Sequence, residues 1–203
     1  MDSAPLPDLQ RVRDVINWRQ RLYRWTDNLP LHIISDNDQP YLERYFLFER
    51  FGVTAYVHRF VASDPDRGLH SHPWPWAVSI KLLGWYFEER PTDHPDQTPA
   101  LRIPGRISFL SGSSFHRVVL PWNAVGRRAT DIEKAKDAEC WTLFIHRSKR
   151  SQWWGFLSRQ PRDEDGAYVY RPYRYPYGAS THGEWWKSVP KGRDNPKRLP
   201  LDA

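Results

Sequence analysis

The chain has one cysteine and one methionine among 203 residues. A single thiol excludes an intrachain disulfide framework and any zinc or iron–sulfur site built from several cysteines. Aliphatic side chains are also scarce: Leu, Ile, Val and Phe together make up about 22% of the chain, barely above the level that suggests disorder. No apolar run approaches the roughly 18 residues needed to span a membrane, so no membrane partner is expected. Met1-Asp2-Ser3-Ala4-Pro5 lacks a basic stretch followed by an apolar one and so does not read as a secretory signal. These absences leave a soluble, cytoplasmic protein as the default reading.

What is abundant restores a core. The 11 Trp and 10 Tyr each bury large areas, so few aliphatics are needed. The 18 Pro and 11 Gly are scattered without a repeat, which favours short interrupted elements over a helical bundle. The net charge of +6 is uneven: residues 1–100 carry 11 basic and 14 acidic side chains, residues 101–203 carry 19 and 10. Such asymmetry suits a nucleic-acid or phosphate partner, and equally a solvated basic flank.

Residues 8–26 have helical spacing at Leu9, Val12, Ile16, Leu22 and Tyr23, with Asp8 as N-cap and Asn28-Leu29-Pro30 as the stop. From residue 41 the pattern turns to strands. Tyr41–Phe51 and Val53–Val61 flank Gly52, and Trp76–Glu88 reads as one long strand or a bent pair, with Gly84 as a bulge. Leu101–Ile103, Arg106–Leu110, Arg117–Leu120 and Trp141–Arg147 are shorter strands, and Trp122–Glu139 reads as a polar surface loop. Short strands with regular turn signals indicate an all-β sandwich or barrel. The expected organisation is a single domain: an N-terminal helix and lead-in (1–40), a barrel (41–150) and a basic aromatic C-terminal arm (151–203). The arm is expected to be mostly irregular, with a short helix at Glu184–Ser188 and a loosely held final dozen residues.

Eight histidines are present, and His70-Ser71-His72 form a pair. On an extended segment, residues i and i+2 share a face, so the two imidazoles supply half of a metal site. His116 opens a later strand after a Ser/Gly turn and is placed to complete a three-nitrogen set.

With these residues the chain resembles the cupin superfamily. The first cupin motif has His-x-His, an acid three or four residues on, and a Gly six residues further; His70, His72 and Gly84 fit its first and last elements. The second motif sets a Gly eleven residues before a His, as Gly105 and His116 do. The resemblance covers about residues 42–147. The run from His58-Arg59-Phe60 through Ser63-Asp64-Pro65-Asp66-Arg67-Gly68-Leu69-His70-Ser71-His72-Pro73-Trp74 looks like a narrower family of small cupin-like proteins of bacteria and phages. So do His116-Arg117-Val118, Trp141-Thr142-Leu143-Phe144 and Trp154-Gly155-Phe156. The pattern departs from the superfamily at Trp76 and Ala77, where the motif acid belongs, and at Ser111-Gly112-Ser113, where Pro-x-Gly belongs. The resemblance therefore implies a jelly-roll barrel with a three-His site for one divalent metal. Iron(II) is the expected ion, with zinc, nickel, manganese or copper as alternatives, because imidazoles select poorly among such ions.

Further candidates surround that site. Of His58 and Arg59, adjacent on one strand, one faces the cavity; Arg59 would suit an oxyanion, or an ion pair with Asp64 or Asp66. Tyr86 and Lys81 lie on opposite faces if no bulge intervenes. His146 is a cavity group or a satisfied core histidine. Trp74 and Trp76 form a substrate wall or an aromatic plug, and Cys140 is a packing residue. The runs Arg147–Trp154 and Tyr168–Tyr177 interleave cations with aromatics as single-strand binders do, yet no nucleic-acid-binding signature accompanies them. The expected function is that of a mononuclear non-haem iron oxygenase acting on a small polar or anionic molecule, with Arg59, Tyr86 and His146 as its catalytic candidates. The alternatives are a metal-dependent lyase or isomerase on the same site, and a non-catalytic module for a sugar, nucleotide or nucleic acid. An apolar helix face and the aromatic arm leave room for a homodimer.

Overall fold

The computed structural model describes residues 9–92, 99–121, 139–150, 153–159, 168–173 and 184–201. His94, His182, the expected loop at 122–138 and the Arg/Tyr run beyond Tyr173 lie outside the described residues. The expected helix is α1 (Leu9–Trp25), followed by a short 3-10 turn, Thr26–Asn28. Twelve strands follow in chain order: β1 (Leu31–Asp36), β2 (Gln39–Arg50), β3 (Val53–Phe60), β4 (Leu69–His70), β5 (Trp76–Leu83), β6 (Phe87–Arg90), β7 (Ala100–Arg102), β8 (Ile107–Ser111), β9 (Arg117–Val119), β10 (Cys140–Arg147), β11 (Gly155–Arg159) and β12 (Tyr168–Pro172). Among the described residues no helix is long and apolar enough to cross a membrane.

The strands form two layers. One is an antiparallel six-stranded sheet in the order β1-β2-β3-β10-β5-β8. The other joins β12-β11-β4 to β9-β6-β7 through an antiparallel bridge between His70 and His116. The result is the all-β jelly roll that the sequence predicts. The segment 151–203 contributes more than a covering arm, because its β11 and β12 extend the second layer. β1 was absent from the sequence reading. It pairs with β2 across Asn37-Asp38, two residues at φ 46° and 61° whose short polar side chains tolerate the left-handed turn.

Alternation along the six-stranded sheet sorts its residues onto two faces. The inner face carries Leu42 of β2, His58 and Phe60 of β3, and Thr142 and Phe144 of β10. The outer face carries Tyr45, Val57 and Trp141, which pack with Leu31 beneath Leu22 and Tyr23 of the helix. The stretch expected as one strand, Trp76–Glu88, is divided at Gly84 between the two layers. Gly84 has φ +73°, and a Cβ there would collide with the Glu139 carbonyl oxygen, so the corner requires glycine. The break brings Tyr86 into the inner core with Phe60, Val118 and Cys140.

The outer face also holds a buried ionic network, and it corrects the placement of Arg59. Arg59 is 2% exposed and points away from the barrel interior. Its Nε donates to Glu139 Oε2 at 2.6 Å and its Nη1 to Glu43 Oε2 at 3.1 Å. It also donates to the carbonyl oxygens of Leu199 (2.7 Å) and Pro200 (3.0 Å). Arg19 binds Glu139 Oε1 at 2.8 Å and the Leu201 carbonyl at 2.6 Å. Arg198 pairs with Asp27 and donates to the Tyr23 carbonyl at 2.7 Å and to Thr26 Oγ1 at 2.8 Å. The described end of the chain is therefore tied down, contrary to the loose terminus expected from its composition. Replacing Arg59 with Ala removes the shared cation from two buried carboxylates. The variant is expected to lose about 3–5 kcal/mol of stability in urea unfolding.

Candidate metal centre

The two chain segments that carry the histidines are held by their own backbones. His70 N donates to the His116 carbonyl at 2.8 Å, and His116 N donates to the His70 carbonyl at 2.9 Å. This hydrogen-bonded antiparallel pair sets the two side chains side by side on one face. His72 lies two residues beyond His70, and its ring meets both others, with centroids 5.3 Å from His70 and 5.1 Å from His116. One ring nitrogen of each of the three lies within 4.8 Å of the others. His70, His72 and His116, the residues expected from spacing, are thus brought together as a metal-binding group.

Hydrogen bonding defines which nitrogens point inward. His116 Nδ1 lies 2.8 Å from Glu88 Oε1, and an ionised carboxylate only accepts, so Nδ1 carries the proton. His116 Nε2 then points inward and lies 2.9 Å from His72 Nε2, so a proton on one of the two nitrogens bridges them. Glu88 is itself fixed by Arg102, at 2.7 and 2.9 Å, and by Arg90 at 2.9 Å. Burial pushes the Glu88 carboxyl up, but the His116 hydrogen bond and the two arginines outweigh it and bring it down to about 2. Burial holds His70 and His72 well below the usual imidazole range, and the neighbouring His116 adds to the effect. Three imidazoles with one nitrogen each turned to a common point fit a divalent cation, which on entry displaces the proton that bridges His72 and His116. Asp64 Oδ2 stands 3.7 Å from His70 Nδ1 and accepts from Val118 N at 2.9 Å; its burial raises its pKa.

The histidines sit in the wall of a cavity of about 480 Å³ between the two layers, a volume suited to a small organic ligand. Trp74 and Phe144 face one another at 5.8 Å beside His72, and Trp154 stacks on Tyr173 at 4.3 Å on the opposite sheet. Trp185 enters the lining from the short 3-10 turn near the end of the chain and meets His32 and Tyr56 at 5.2 and 5.9 Å.

The other candidates separate. Tyr86 lines the cavity, almost fully buried, and burial raises its hydroxyl pKa. His58, rather than Arg59, is the member of that pair that faces inward. Trp74 is a wall residue, whereas Trp76 is exposed. Lys81 Nζ donates to the Pro104 carbonyl at 2.5 Å. Cys140 is buried, its thiol pushed up to about 12 by burial, as befits a packing residue. His146, expected as a catalytic candidate, does not line the cavity. It stacks behind Trp74 at 3.7 Å and donates Nδ1–H to its neighbour's carbonyl, that of Arg147, at 2.8 Å. Three residues of the site were missed in the sequence, two in the cavity wall and one, Glu88, behind His116. Glu88 and Arg44 were readable only from strand phase, and Trp185 had no sequence signal because it arrives from a distant segment.

No protein-family model matches the chain, and no curated protein matches it. Solved structures of similar shape include a cupin-2 domain from Rhodospirillum rubrum, at 12% identity and TM-score 0.43, over 64% of this chain and 76% of that one. The polyketide cyclase RemF from Streptomyces resistomycificus matches at 16% identity and TM-score 0.44, over 70% and 86%. HppE in its Fe(II) form matches at 13% identity and TM-score 0.40 over 59% of this chain, which spans only 57% of HppE. Each likeness covers part of this chain. The two-layer all-β fold of this chain is read from its own strand order, and the candidate metal group from its own histidine cluster.

Two measurements check the geometry. Glu88→Gln removes the anchor of His116 and is expected to weaken zinc or cobalt affinity about 10–100-fold, read by competition with a chelator. Burial places His146 at about 4 against a usual 6.5. Between those values the unfolded chain binds a proton that the folded chain refuses, so stability falls as pH drops through that window. His146→Phe is expected to flatten the pH dependence of urea unfolding there by up to about one proton.

Proposed function

We propose that the protein is a metal-dependent enzyme, a mononuclear non-haem iron(II) oxygenase acting on a small polar or anionic substrate in the cytoplasm. The observation that carries this reading is the convergence of His70, His72 and His116 on the wall of a cavity large enough for a small ligand. Three protein nitrogens leave coordination positions open for exogenous ligands, unlike a closed structural site. When bound there, iron(II) supplies the one-electron chemistry by which dioxygen reacts with a closed-shell organic molecule.

The chain's own residues supply the rest. Glu88 holds His116 with Nε2 inward, and burial keeps His70 and His72 uncharged at neutral pH. Trp74, Phe144, Trp154 and Trp185 shield the ligand from water and strengthen every polar contact within. Tyr86 presents a protonated hydroxyl to the same space and can donate a hydrogen bond to a substrate oxygen. Asp64, beside His70, is the carboxyl group of the described lining.

Metal analysis of anaerobically purified protein tests the reading. About one equivalent of iron is expected after loading with ferrous salt, and less than a tenth of that in His70→Ala and His116→Ala. Oxygen uptake in the presence of substrate then separates the oxygenase from a lyase or isomerase using the same ion. Absence of stoichiometric metal from the wild-type protein favours a non-catalytic binding module.

A further inference from the structure

We infer that the protein forms a two-fold dimer in which the open edge of β8 pairs antiparallel with β8 of a second copy, centred on Ser108. The inference is independent of the metal centre and its chemistry.

β8 is an end strand of the six-stranded sheet, with β5 on one side and, among the described residues, no strand on the other. Its pairing with β5 fixes where each backbone group points. Lys81 N donates to the Arg106 carbonyl at 2.9 Å, and Gly112 N donates to the Pro75 carbonyl at 3.3 Å. In this register Arg106, Ser108, Leu110 and Gly112 turn their main-chain groups toward β5, and Ile107, Phe109 and Ser111 turn theirs to the open side. Ser111 is satisfied locally: its N donates to Ser114 Oγ at 3.0 Å, and its carbonyl accepts from Ser114 N at 3.0 Å. The N–H and C=O groups of Ile107 and Phe109 meet no described protein group. Ile107–Ser111 also lacks the Pro, Lys or other charge that commonly guards a strand edge. The sheet's other edge, β1, is met by the chain's own end, where Leu31 N donates to the Pro190 carbonyl at 2.9 Å and Asn195 Nδ2 donates to the Leu31 carbonyl at 3.3 Å.

The side chains at this edge are apolar and bare. Ile107 and Phe109 are 54% and 79% exposed; Trp76, on the same outer face of β5, is 38% exposed, and Ile103, in the link from β7, is 63% exposed. At about 200 Å² for a large apolar side chain, these four offer roughly 450 Å² per copy. That matches the apolar share of the ~800 Å² that each partner buries in a standard interface. The edge is also complementary to itself. A two-fold axis at Ser108 sets Ile107 opposite the second copy's Phe109 and Phe109 opposite its Ile107. Every open N–H and C=O then finds a partner, in four hydrogen bonds, and two aromatic–β-branched pairs form on the outer face. Ser108 meets its own counterpart at the closest approach, where a small uncharged side chain fits. A register centred on Phe109 would instead require Ser111, which Ser114 already holds. Pairing of like edges closes after two copies, whereas β8 on β1 would propagate, and the chain's own end already engages β1.

Sedimentation equilibrium of the purified full chain, followed over a dilution series, tests the dimer. Wild type is expected at twice the chain mass, and Phe109→Lys at the chain mass with unchanged near-ultraviolet dichroism. Should Phe109→Lys fail to fold, Ile107→Lys takes its place. Cysteine cross-linking tests the register. Opposed residues of a non-hydrogen-bonded pair lie about 4.5 Å apart at Cα, within disulfide reach. Ser108→Cys is therefore expected to oxidise to a covalent dimer under mild oxidant, while Glu49→Cys, exposed on β2, stays at the chain mass in denaturing gels. A monomeric wild type overturns the dimer and leaves the edge to a strand of another protein. A dimer that survives the lysine substitutions overturns this surface, and one that they break but Ser108→Cys does not lock overturns the strand pairing. Mass that keeps growing with concentration overturns two-fold closure.

Discussion

The structure depends on one backbone pairing, the reciprocal hydrogen bonds between His70 and His116. Without it, contacts such as those of Asp64 with Arg117 and Val118 would be left to hold the two three-stranded sheets of the second layer together, and the barrel would have a seam. With it the seam is closed by the same residues whose side chains form the metal group, so closure of the fold and assembly of the centre are one event. The cost of bringing residues 46 positions apart in sequence into register is met by sheet formation rather than by the ion. A centre organised in this way is largely preformed. The Glu88 contact then fixes what the backbone does not, the rotation and tautomer of the His116 ring.

Strand alternation does the second half of the work. On β3 it turns His58 into the cavity and Arg59 out of it; on β2 it turns Arg44 in and Glu43 out. Two arginines are thereby divided between the cavity wall and the outer ionic network by a period of two. The outward set is fully buried under the helix and the last residues, where paired charges with satisfied donors confer a fixed docking geometry more than raw stability. The inward set faces a space large enough for a ligand.

Much of this was legible in the sequence. The metal pair followed from His-x-His spacing on an extended segment, and His116 joined it through the cupin resemblance, whose second motif Gly105 and His116 match. The barrel followed from aromatic strands punctuated by turns. What escaped had physical reasons. Arg59 and Arg44 differ only in strand phase, and a bulge between Phe46 and Phe48 shows how easily phase is lost in counting. Glu88 follows Gly84, beyond which the chain changes sheets, so its facing could not be extrapolated from Trp76. β12 was hidden because Tyr, Arg and Pro make up most of it, and β11, a short run without alternation, is placed by pairing with β4 on one side and β12 on the other. His146 looked eligible because it shares its face with Phe144, but Trp74 stands between it and the cavity.

The tie between the ends of the described chain also reaches the cavity. Arg59 reaches Leu199 and Pro200 across about 140 residues, and Arg198 reaches Tyr23 and Asp27 across about 170. Trp185, a wall residue, lies on the same C-terminal stretch. Arg59 and Arg198 on the far face of the sheet thus anchor the stretch that supplies part of the ligand space, so a cut that freed residues 185–201 would open the cavity without touching a single histidine.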